Sequence, residues 1–148
     1  MSTHLIALSV AAVAGLLMAA QGALNSGLGK AVGLLEATLM VHVTSSAFTL
    51  ALLLIGLGSG QWPKLGEVQW YFYLGGFLGV GITYGVVRAM PQVGVAPATT
   101  AIIVGQVATA ALIDHLGLLG MEQLSFEWLN ALGLLLLAAG GYLLLRST

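Results

Sequence analysis

Two carboxamides, Gln21 and Asn25, sit one helical turn apart in the otherwise apolar stretch GLLMAAQGALNSGLGK, residues 15–30. An amide donates and accepts hydrogen bonds without carrying charge, so this pair can recognise a polar solute or bond to a neighbouring helix. A second polar set, Thr38, His42, Ser45, Ser46 and Thr49, falls at i, i+4, i+7, i+8 and i+11. Thr99, Gln106 and Asp114 form a third, with Ile103 and Ala110 between them on the same face, and Tyr84 adds a phenol. His42 is the candidate for a protonatable or substrate-contacting group. Glu36, Arg88 and Asp114, with His42, are candidates for ion coupling or pairing. Paired carboxylates, a nucleophile beside a base and a metal-ligand cluster are all missing from the sequence, and it has no cysteine for a disulfide or thiolate site. The expected class is therefore a non-enzyme without cofactor or metal.

These residues must be held by an unusual chain. Of its 148 residues 59% are hydrophobic and 6% charged, whereas a soluble domain is about a quarter charged. Residues 5–29, 37–63, 68–87, 89–113 and 128–145 contain no Asp, Glu, Lys or Arg. Each is long enough to cross a hydrocarbon core at about 1.5 Å per residue. The predicted fold class is an all-α integral membrane bundle of five helices, forming one transmembrane domain over residues 1–148. The helices are expected at about 4–29, 35–57, 68–90, 95–116 and 126–145, with Pro91 and Pro97 bracketing the turn into the fourth. The first segment is read as a span, not a removable signal, because MSTH has no Lys or Arg and four more spans follow. A net charge of −1 offers no basic patch to nucleic acid. Trp62, Trp70, Tyr71, Tyr73 and Trp128 fall near predicted helix ends, where amphipathic rings favour the headgroup layer.

Lipid-buried amides carry a penalty of several kcal/mol unless satisfied. Gln21 and Asn25 flank a stripe of small residues, Gly15, Ala19, Gly22, Ser26 and Gly29, which lets a second helix approach closely. They serve either as interhelical bonds or as the lining of a solute pathway; polar stripes on three helices favour the pathway. Glycines at 75, 79, 81 and 85 permit close packing or bending of the third helix. Lys30, Arg88 and Arg146 share one side and Lys64 the other, which places the carboxyl terminus in the cytoplasm and the amino terminus outside. The three-to-one bias is thin enough for insertion in both orientations.

The motifs QGALNSGLGK at 21–30, WYFYLGGFLGVGITYG at 70–85, GQVATAALIDHLGLLG at 105–120 and LNALGLLLLAAGGYLLL at 129–145 resemble the YdcZ-like family of the drug/metabolite transporter superfamily. The resemblance spans essentially the whole chain. It implies a five-helix protein of the bacterial inner membrane, with Gln21, Asn25, Gln106 and Asp114 at matching polar positions. Glu36 and His42 stand where the family pattern is apolar or aromatic. A five-helix unit is half of an inverted-repeat transporter, whose site lies between two oppositely oriented halves. The expected function is thus secondary transport of a small organic solute by alternating access. The expected partners are the bilayer, the solute, and an antiparallel second copy or a related five-helix chain. By analogy with four-helix multidrug transporters, the terminal helix supplies the contact, through Gly133, Gly140 and Gly141. The rival classes are a non-transporting subunit that stabilises a partner complex and a lipid-handling protein.

Overall fold

The structure, a computed structural model, describes residues 3–146. It is all-α, with helices α1 (Thr3–Val32), α2 (Leu34–Leu54), α3 (Leu74–Val93), α4 (Val95–Leu116) and α5 (Trp128–Arg146). Among the described residues, five helical segments are long and apolar enough to span a bilayer, the third counted from Trp70. The fourth matches its expected bounds; the others shift at their ends.

The shifts have local causes. The first helix runs past Gly29 to Val32 because the break is made at Gly33, whose φ of 107° and ψ of 161° belong to a region open essentially to glycine alone. The Gly33 N–H still donates to the Gly29 carbonyl (3.0 Å), and the Gly33 carbonyl accepts from the Ala37 N–H (3.0 Å). Hydrogen bonding thus continues through the bend. Gly94, at φ 92° and ψ 162°, repeats this junction between α3 and α4, with bonds to Met90 (2.9 Å) and from Ala98 (3.2 Å). Pro91 does not end α3 as expected but lies inside it. A proline removes one ladder bond, which membrane helices accommodate, so Gly94 and not Pro91 sets the turn.

The second helix stops at Leu54, earlier than expected. The N–H groups of Gly56 and Leu57 bond back to the Leu53 and Leu52 carbonyls at 3.0 and 3.2 Å, a left-handed glycine cap (φ 84°). The stretch expected to begin the third helix at 68 instead forms short 3-10 turns, Trp62–Glu67 and Trp70–Tyr73. The Tyr73 hydroxyl pins them by donating to the Leu65 carbonyl (2.6 Å). The fifth helix starts at Trp128, two residues late.

The chain divides into two compact units, Met1–Arg88 and Ala89–Thr148. In the first, α1 packs on α2, and Gly22 and Ser26 of α1 and Ala37 and Thr38 of α2 are buried. A Cβ at Gly29 would collide with Val87 of α3 and lie 3.8 Å from the Ala37 Cβ. In the second, α4 packs on α5. Gly141 is buried there, its Cβ position 3.1 Å from Thr100 Cγ2 and 3.5 Å from Val104 Cγ2.

Candidate functional site

The polar groups of the first unit fall into three kinds. Gln21 is exposed and Asn25 half-buried on α1, and neither side chain makes a hydrogen bond among the described residues. Ser26 is 6% exposed, and its Oγ is buried with no partner among the described residues. The polar stripe on α2 is different. Thr38 Oγ1 donates to the Leu34 carbonyl (2.8 Å), Thr44 Oγ1 to Met40 (2.8 Å) and Thr49 Oγ1 to Ser45 (2.9 Å). A hydroxyl bonded to the carbonyl four residues back needs no other partner, so these threonines do not require a wet passage. Ser45 and Ser46 are exposed without such a bond.

His42 is half-buried, with Nδ1 2.8 Å from the Thr38 carbonyl. A carbonyl only accepts, so Nδ1 carries the proton. Nε2 faces α3, 3.5 Å from where a Cβ at Gly79 would lie. In a neutral ring that nitrogen is an acceptor held against a backbone without a side chain. Tyr84 is partly exposed on α3. The Glu36 carboxylate folds against Gly33 in the first turn of α2, where the helix dipole favours negative charge. Arg88 is exposed and engaged in an interaction of its own.

In the second unit, Gln106 is exposed on α4 and makes no side-chain hydrogen bond among the described residues. Thr99 Oγ1 is buried and unpartnered among the described residues. It occupies a position equivalent to Thr38, because VGLLEAT at 32–38 and VGVAPAT at 93–99 form the same glycine junction. In the first copy the threonine bonds back to its own helix; in the second, Thr100 does so, to Ala96 (2.9 Å). Thr99 is left over. The sequence marks Ser26 only as a small packing residue, and its orphaned hydroxyl has no signal there. The VGxxxAT duplication was legible and marks Thr99.

Asp114 is half-buried at the end of α4 beside the returning chain; its carbonyl accepts the Leu124 N–H at 2.8 Å. Of the three glycines expected at a dimer contact, Gly141 is filled by α4, while Gly133 and Gly140 have nothing within 4 Å of their Cβ positions.

Residues 6–143 match the family described as "Putative inner membrane exporter, YdcZ". The chain belongs to this family. No curated protein and no solved structure matches it. Family membership and the five apolar helices found among the described residues make it a multi-pass inner-membrane protein of the YdcZ exporter family. Its many exposed large apolar side chains, such as Leu16, Leu54, Phe77 and Leu135, are those of a lipid-facing surface.

Proposed function

We propose that this YdcZ-family chain, acting as one transmembrane domain over residues 1–148, is a secondary transporter. It exports a small organic solute by alternating access and works as a dimer. The carrying observation is that Gln21, Asn25 and Gln106 lie on membrane-crossing helices with side-chain amides that make no hydrogen bond among the described residues. In hydrocarbon each such group costs several kcal/mol, so water, solute or a second chain must meet it. The hydroxyls of Ser26 and Thr99, buried inside the packed helices, are not reached from outside and are not pathway groups. His42, through Nε2, and Ser45, Ser46 and Tyr84 add further acceptors and donors to the pathway, and the α3 glycines allow rocking. Outward direction is taken from the family's description.

Five helices are an odd number, so a second copy inserted the other way completes an inverted pair with its site at the midplane. A related five-helix chain of opposite orientation would serve equally. Gly133 and Gly140, open and seven residues apart on α5, offer the closest approach to that partner. The charge bias supports an amino terminus outside and a carboxyl terminus in the cytoplasm for one orientation, and at three to one it is thin enough for a second copy to insert the other way.

The test is reconstitution with a panel of cationic, zwitterionic and neutral solutes, for wild type and for Asn25→Leu and Gln106→Leu. Wild type moves at least one solute, and both variants remain folded but lose that flux. If no solute moves, or both leucine variants transport as well as wild type, the proposal fails. Reporters fused at residue 148 and read from both faces decide between self-pairing and a partner chain.

A further inference from the structure

Gly117 adopts a left-handed conformation (φ 61°, ψ 37°) at the end of α4 and turns the chain back on itself. Two bonds clip the returning segment down: Leu124 N–H to the Asp114 carbonyl (2.8 Å) and Gln123 Nε2 to the His115 carbonyl (2.9 Å). Between α4, this segment and the start of α5 lies a cleft of about 250 Å³. Its walls include Val107, Leu124 and Phe126, and its polar residues are Asp114, Ser125 and Asn130. No Lys or Arg lines it.

The geometry points to this cleft as a binding site for a small organic monocation, an alkyl- or arylalkylammonium, with Asp114 as counter-charge. This rests on the transport reading and names the solute class. Three features favour a cation. Asp114 supplies a carboxylate with no basic residue beside it in the cleft. The C-terminal end of α4 adds some partial negative charge, reduced where the Asp114 and His115 carbonyls accept from Leu124 and Gln123. Phe126 presents an aromatic ring, whose face attracts ammonium groups, and the ring is steadied edge-on by His115 (centroids 6.2 Å apart, 72°). An ammonium has three N–H donors, and the polar residues of the lining, Asp114, Ser125 and Asn130, carry acceptors that can meet them. The apolar walls take the hydrocarbon part. The volume corresponds to about eight water-sized groups, which accommodates a small amine.

The test is calorimetric titration of the full chain in detergent with phenethylammonium chloride, against sodium 3-phenylpropionate as the anionic control. Wild type binds the ammonium and not the carboxylate. Asp114→Asn weakens ammonium binding about tenfold or more. Asn130→Asp places a second carboxylate in the cleft and tightens binding, a gain that a damaged fold cannot produce. The inference is overturned if wild type does not bind phenethylammonium, if it binds phenylpropionate equally, or if neither substitution changes affinity. Flux assays separate it from the transport reading. If ammonium binds as described but no solute crosses, transport falls and the cleft stands; if solutes cross while ammonium does not bind, the cleft falls and transport stands.

Discussion

Gly29 is the point where α1 meets both α2 and α3, and substituting it tests how the first unit is held together. A Cβ there would run into Val87 Cγ1 and sit 3.8 Å from the Ala37 Cβ. Val87 is 1% and Ala37 0% exposed, so neither neighbour has free space to move into. Overfilling such a site costs about 1–3 kcal/mol, and in lipid, where packing itself drives helix association, little compensates. Val87→Ala alone removes two methyl groups from a buried position and should cost about 2 kcal/mol. In the double variant the methyl at 29 enters the space those groups leave. Gly29→Ala with Val87→Ala should therefore be about 1–2 kcal/mol more stable than the sum of the single losses. Unfolding by SDS titration in mixed micelles, followed by far-ultraviolet circular dichroism, measures all three. A Gly29→Ala chain as stable as wild type, or losses that simply add, would refute this account of the contact.

Three further outcomes are expected. Gly33→Ala and Gly94→Ala should each destabilise by about 1–3 kcal/mol in the same titration, because alanine is strained at these φ and ψ values; a neutral result at both would remove the proposed junction. Ser26→Ala should leave stability unchanged or raise it by about 1 kcal/mol, since it deletes a buried hydroxyl that has no partner among the described residues. A clear loss of stability would show that the hydroxyl is bonded. Gln123→Leu should cost about 1 kcal/mol through loss of the bond to the His115 carbonyl, and it should speed amide exchange over residues 121–126 if that bond holds the returning segment.

Much of the fold was legible before any coordinates. Five charge-free runs marked five spans, and Val95–Leu116 emerged with its expected bounds because Gly94 and Gly117 flank it. The ends of α1 and α3 were misplaced, because Gly29 and Pro91 looked like stops while glycines at 33 and 94 made the bends. The doubled VGxxxAT motif would have corrected both. The candidate site was legible only in part. Gln21, Asn25 and Gln106 keep the unmet hydrogen bonds their residue types suggest, but the threonines of α2 satisfy themselves within one turn. Gly141, expected to face another chain, is filled by Thr100 and Val104 of its own.

The division has a physical basis. Transfer into lipid is close to a sum over the residues of a segment, so composition along the chain determined that this protein crosses the membrane and with how many helices. Whether a hydroxyl is bonded, a glycine filled or a carboxylate set in a cleft depends on atoms a few ångströms away from other turns and other helices. Those distances came only from the tertiary structure: it left Ser26 and Thr99 without partners among the described residues, turned His42 Nε2 toward Gly79, and folded the chain after α4 back to Asp114.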